Sequence, residues 1–160
     1  MTMAEPKIHT VGVKDVTFGN NVVLVQPSNL YGCELDDDVF VGPFVEIQRG
    51  VRIGARTRVQ SHSFICEGVS VGSDCFIAHG VTFINDLFQD GAPDRNPEGW
   101  KKTTIESHVN IGSGSTILPV AICSHVVIGA GSVVTKDITQ PGVYAGNPAT
   151  FRRALVLCGD

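Results

Sequence analysis

His62 and His79 recur at close to one repeat length along the chain, and so do Glu67 and Asn85, the second of which is followed at once by Asp86. These residue types point to chemistry at a nucleophile. An imidazole takes a proton from an attacking group or returns one to a leaving group. An asparagine is no base, but its carbonyl can hold an amine so that the lone pair faces an electrophile. Gln60, His62 and Glu67 offer further contacts to hydroxyl or amino groups. Near the other end, Lys136, Arg152 and Arg153 supply the cations that a phosphate-bearing ligand requires, arginine by bidentate contact. Plainer readings stand beside each: solvated turn histidines, an asparagine that opens a loop through an Asx turn, a solvated glutamate, and surface arginines.

One small scaffold has to position these groups. With 160 residues, 17.0 kDa and 42% hydrophobic content, residues 1–160 fit a single domain and leave no room for a second. The net charge of −4 excludes a general nucleic-acid or anionic-membrane binder, so any anionic ligand must be met by a local basic cluster. MTMAEPKIHTVG lacks the apolar core of a signal peptide, and no later run has the length to cross a bilayer, which makes a cytoplasmic protein the expectation. Cys33, Cys66, Cys75, Cys123 and Cys158 form no CxxC pair and are odd in number, which suits reduced thiols acting as small apolar residues.

The scaffold is written as a repeat. From Leu35, aliphatic residues return every six positions at Val41, Ile47, Ile53, Val59, Ile65, Val71 and Ile77, and Phe83 closes the run. Val39, Val45, Val51, Thr57, Ser63, Val69, Cys75 and Val81 form a second small or β-branched series between them. Glycines such as Gly42, Gly54, Gly68 and Gly80 punctuate the hexads, so each one reads as a short strand plus a corner. Three hexads make a triangular coil, and stacked coils form a parallel β-helix, an all-β solenoid. Phe18, Leu24 and Leu30 join the scheme after a one-residue slip. Ile105, Ile111 and Ile117 resume it, and a slip at Leu118-Pro119-Val120 precedes Ile122, Ile128 and Val134.

Residues one coil apart lie above one another, so spacing becomes a site. The face holding Val59, Ile77, Ile111 and Ile128 is the first; its corner is expected to carry His62, His79, Ser113-Gly114 and Ala130-Gly131 in one column. The second face holds Ile65, Phe83, Ile117 and Val134, and its corner carries Glu67, Asn85, Pro119 and Lys136. His108 and His125 share the third corner and are given no chemistry. Small residues above the histidines describe a smooth backbone track, along which an extended ligand with amides could bond exposed backbone groups. Residues 85–102, NDLFQDGAPDRNPEGWKK, abandon the hexad and read as a loop extruded from the second corner. Trp100 in that loop either stacks on a base or packs the loop down. A short C-terminal helix over about 149–157, capped by Thr150, is expected to close the solenoid.

The hexads, with IGAGSVVTKD at 128–137 and AGNPA at 145–149, resemble the hexapeptide-repeat acyltransferase superfamily over nearly the whole chain. More narrowly, NLYGCELDDDVFVGPFVEIQRGVRIGARTRVQSHSFICEGVSVGSDCFIAHGVTFINDLF is similar to the nucleotide-linked 3-amino-sugar N-acetyltransferases, including the dTDP-3-amino-3,6-dideoxyhexose type. The resemblance implies a left-handed β-helix and a homotrimer with active sites between subunits. It also implies acetyl transfer from acetyl-CoA to a dTDP- or UDP-linked amino sugar, in surface (lipopolysaccharide) polysaccharide biosynthesis, without a metal. His79 and Asn85 are then the catalytic candidates, and Gln60, His62, Glu67, Phe83, Asp86 and Trp100 the acceptor contacts. Ser113, Gly114, Ala130, Gly131, Lys136, Asn147, Arg152 and Arg153 are the CoA contacts.

Three alternatives remain at this point. A sugar or serine O-acetyltransferase would share the scaffold but need firm base catalysis, because a hydroxyl is a poor nucleophile. A γ-carbonic-anhydrase-like metalloenzyme would use histidines from two chains, yet the sequence has no His-x4-His pair. A non-catalytic trimeric scaffold is the last.

Overall fold

The computed structural model describes residues 7, 9–94 and 96–155. Strands of two to four residues wind into three parallel sheets of seven, six and eight strands, and the chain forms a left-handed β-helix of about seven turns. The inward series is the one the hexads mark. Ile47, Val59, Ile65, Ile77, Ile111 and Ile117 are fully buried, and so are Val45, Val51 and Val81 from the second series. Burying each such side chain is worth about 1.5–3 kcal/mol, so the stacked column is the main source of stability.

Polar residues in the second series are tolerated because their hydroxyls bond to carbonyls of the corners. Thr57 Oγ1 donates to the Gly72 carbonyl at 2.8 Å and Ser63 Oγ to the Ala78 carbonyl at 2.9 Å. Among the described residues no buried side-chain nitrogen or oxygen lacks a partner, as the cost of burying an unpaired polar group demands. The coil stacking is tight at some corners: a Cβ on Gly112 would lie 2.5 Å from the Ala130 nitrogen of the next coil.

The register confirms the two slips. Leu30 pairs with Ile47 and Phe18 with Leu35, while Ile105 pairs with Ile122 and Ile111 with Ile128. The C-terminal helix does not form. Thr150–Arg153 is instead a strand that turns back antiparallel on Gly142–Ala145, with the Phe151 ring edge-on to Tyr144 at 5.5 Å. An open sheet edge on the last coil offers unpaired backbone groups, and a strand satisfies them where a helix cannot. Residues 156 and 157 of the expected helix lie outside the described residues.

Candidate functional site

The first corner departs from the expected column by one residue. Strand register runs Val59 to Ile77 to Ile111, which sets Ser61, not His62, beneath His79. Ser61 Oγ lies 2.8 Å from His79 Nδ1. When Nδ1 carries the ring proton it donates to Ser61 Oγ, and Nε2 keeps a free lone pair. His62 is the next residue along, in the left-handed region at φ 63°, and its ring stacks on Phe44 at 4.9 Å. Gln60 is half-buried on the same corner.

Above His79 the side chains shrink to Ser113 and Ala130, and the neighbouring column reads Gly80, Gly114, Gly131. The Gly114 and Gly131 N–H groups donate to the carbonyls of His79 and Ser113, at 2.9 and 2.8 Å. A Cβ built on Gly114 or Gly131 meets nothing within 4 Å, so a side chain there would project into open space along the track. Lys136, Asn147, Arg152 and Arg153 are exposed on the C-terminal coils. The Arg152 guanidinium donates twice to the Ala145 carbonyl, at 3.1 and 2.9 Å. Arg153 Nη1 donates to the Ala154 carbonyl at 3.3 Å.

The second corner is as the spacing predicts, with Asn85 one coil above Glu67. Asn85 Nδ2 donates to the Glu67 carbonyl at 3.1 Å, which fixes the amide and leaves Oδ1 as a free acceptor. The extruded loop folds around its own acid. Asp86 accepts from the Phe88 N–H at 2.9 Å and from the Asp94 N–H at 2.7 Å, one through each carboxylate oxygen. Trp100 is half-buried and its indole donates to the Asp94 carbonyl at 3.0 Å, and the Lys101 N–H closes the neck on the Asn85 carbonyl at 3.1 Å. A single 3-10 turn, Pro97–Gly99, lies inside it. The loop encloses a cavity of about 230 Å³ walled by Asn85, Asp86, Asp90, Asp94 and Lys101. Among the described lining residues three carboxylates stand against one ammonium, a balance that attracts a cation.

His79 and Asn85 stand at opposite edges of the second face, with the strand Thr82–Phe83 between them. Six residues at about 3.3 Å each, shortened by the corner turns, put them on the order of 15 Å apart in one chain. Phe83 requires a correction. It is fully buried and faces the core, so it cannot touch a ligand. Two polar groups escaped the sequence reading: Ser61, the partner of His79, and Gln48, whose Oε1 accepts from the Glu67 N–H at 3.2 Å. Both occupy outward positions of coils adjoining the candidates, a signal that columns would have exposed had every row been read.

The thiols take no part. Cys33, Cys66 and Cys75 are buried, and burial pushes the first two up to about 11, well away from a reactive thiolate. Cys158 lies outside the described residues. Among the described residues no group of three His, Cys, Asp or Glu could hold a metal ion, and no helix is long and apolar enough to cross a membrane.

The model of the hexapeptide repeat of succinyl-transferase matches residues 50–82 and 102–136, two blocks that flank the extruded loop. The bifunctional protein GlmU of Thermotoga petrophila is 32% identical over 134 residues, 79% of this chain and 30% of the relative, so the chain spans under a third of that protein's length. A hexapeptide-repeat acetyltransferase of Vibrio cholerae, solved in complex with acetyl coenzyme A, superposes with a TM-score of 0.66 at 25% identity, over 78% of this chain and 71% of that one. A variant of AntD, an N-acyltransferase from Bacillus cereus solved with dTDP-4-amino-4,6-dideoxyglucose and coenzyme A, has the same fold. Its TM-score is 0.56 at 22% identity, over 88% of this chain and 83% of that one. With its hexads stacked in register and both repeat blocks matched, the chain carries the hexapeptide repeat and shares the β-helix fold of these acyltransferases.

Proposed function

We propose that the chain transfers an acetyl group from acetyl-CoA to the amino group of a nucleotide-linked amino sugar, a dTDP- or UDP-3-amino sugar of surface polysaccharide synthesis. The observation that carries the reading is Asn85, held by its Nδ2 on the Glu67 carbonyl with Oδ1 free, at the wall of an acidic cavity. The acceptor amine arrives as an ammonium ion, which the carboxylates of the loop attract, and it releases its first proton to solvent before attack. Asn85 Oδ1 then accepts one N–H of the neutral amine and turns the lone pair toward the thioester carbonyl. The N–C bond forms, the C–S bond breaks, and the thiolate of CoA leaves. His79 Nε2 is placed to take the proton that the amine gives up, with Ser61 setting the ring. An amine is a stronger nucleophile than a hydroxyl, so His79→Ala is expected to cost less turnover than Asn85→Ala, measured as kcat at saturating acetyl-CoA. Ser61→Ala should move kcat in the same direction as His79→Ala by a smaller factor, and equal turnover in wild type and Ser61→Ala would remove that contact from the chemistry.

The pantetheine arm lies along Gly114, Ala130 and Gly131, with Ser113 beside it, and its phosphates meet Lys136, Arg152 and Arg153 near Asn147. His62, Gln60, Glu67 and Asp86 contribute to the acceptor pocket, and Trp100 braces its wall. Phe44 already occupies the left-handed column of Gly114 at φ 60°, against 69° for Gly114, so an aromatic residue there is compatible with the fold. Gly114→Phe is therefore expected to stay folded, at a strain of about 1–2 kcal/mol, while KM for acetyl-CoA rises more than tenfold. A normal KM would move the cofactor track elsewhere.

The distance across the second face means that one chain cannot bring His79 and Asn85 to one amine, which supports a homotrimer whose sites lie between subunits. The first face offers a mixed outward row for such packing, Val23, Phe40, Arg58, Phe76, Asn110 and Val127, more apolar than Thr17, Glu34, Arg52 and Ser70 on the third. The test is acetyl transfer from acetyl-CoA to a panel of dTDP- and UDP-amino sugars, read by mass gain and thiol release. Transfer only to sugar hydroxyls, or to no acceptor, overturns the reading.

A further inference from the structure

We propose that Gln48 is a positioning residue for Asn85, acting through the Glu67 turn; the inference rests on the acetyl-transfer reading above. Gln48 sits on the coil below Glu67, at the register position of Tyr31, and all four of Tyr31, Gln48, Glu67 and Asn85 are half-buried. Its side-chain amide is used at both ends. Nε2 donates to Glu46 Oε1 at 3.1 Å, and Oε1 accepts from the Glu67 N–H at 3.2 Å. Tyr31 donates its hydroxyl to the same Glu46 oxygen at 3.3 Å, and burial beside Glu46 holds its phenol above the ordinary tyrosine range, so it remains a donor. Glu46 is thus held by two donors and in turn fixes the orientation of the Gln48 amide.

The other flank of Glu67 completes the chain. Its carbonyl accepts from Asn85 Nδ2 at 3.1 Å, and Gly68 beside it, at φ 89°, accepts from the Thr103 N–H where the loop returns. Glu67 is therefore gripped from below by Gln48 and from above by Asn85, with its own carboxylate making no hydrogen bond among the described residues. Only in this arrangement does Asn85 keep Nδ2 occupied and Oδ1 open. Releasing the lower grip lets the Glu67 carbonyl turn, and the Asn85 amide loses the partner that decides which of its two ends faces the amine.

The test compares wild type, Gln48→Ala, Gln48→Met, Asn85→Ala and the double variant Gln48→Ala with Asn85→Ala. Both Gln48 variants are expected to lower kcat for the amino sugar on the order of 10-fold with KM for acetyl-CoA unchanged, and methionine, which restores bulk but not polarity, should give no rescue. In the Asn85→Ala background Gln48→Ala should add no further loss of kcat, because it acts through Asn85. A full additional loss in that background, or rescue by methionine, overturns the inference. Side-chain 15N–1H resonances of Asn85 in the substrate-free protein provide a readout that needs no turnover: they should shift in Gln48→Ala, and unmoved resonances overturn the positioning role. Absence of transfer by wild-type protein to any acceptor, with the resonances still shifted, refutes the acetyl-transfer reading instead.

Discussion

Asn85→Ala is expected to lower kcat on the order of 100-fold while KM for acetyl-CoA and the urea midpoint stay at their wild-type values. The size follows from the role proposed for the side chain, orientation of the attacking amine, an effect felt at the transition state. The amide is exposed to the loop cavity and packs no core group, so its loss leaves the hexad column intact. Steady-state kinetics with a dTDP- or UDP-amino sugar, beside urea denaturation, check both halves. A loss confined to KM for the sugar would make Asn85 a binding contact only. The same variant tests the assembly. Chains carrying Asn85→Ala, refolded together with chains carrying Gly114→Phe, should regain roughly a quarter of wild-type activity, because random mixing in a closed ring pairs an intact cofactor track with an intact asparagine at that frequency. Mixtures no more active than their parents, assayed with acetyl-CoA well below the KM of Gly114→Phe, would place both elements in one chain.

Phe83→Ala is expected to destabilise the fold by about 3–5 kcal/mol, the usual cost of emptying a large aromatic site in a packed core. Phe83 is fully buried and follows Ile65 in the inward column of the second face, one of the largest side chains there. Phe83→Leu retains most of that volume and should leave KM for the acceptor unchanged. Thermal and urea unfolding of both variants, with kinetics on the leucine form, decide between a core role and a ligand contact. A raised KM in Phe83→Leu at unchanged stability would restore Phe83 to the acceptor pocket.

The coil, its slips and the extruded loop were all legible, because a period of six imposed by inward side chains leaves a direct mark on the sequence. Asn85 above Glu67 was legible for the same reason. His62 was placed under His79 by counting across seventeen residues, but the backbone ladder between Val59 and Ile77 carries no slip, and Ser61 takes that position. Phe83 belongs to the inward series on its spacing alone, and only the resemblance counts it among the acceptor contacts. The segment after Ala149 has helix-forming residues and a capping threonine, yet the exposed edge of Gly142–Ala145 claimed it as a strand. Ser61 and Gln48 carry no motif and act only through bonds to neighbouring coils, which pattern reading of one hexad at a time does not register.

The neck formed by the Asn85 carbonyl and the Lys101 N–H has an evolutionary corollary. Between those two residues Asp86, Phe88, Asp94 and Trp100 are joined by hydrogen bonds within the insert, and the repeats on either side pair with each other as though nothing intervened, Val69 with Thr103 and Val71 with Ile105. A lineage can therefore lengthen, shorten or replace the insert as a cassette while the neck keeps Asn85 anchored beside each newcomer.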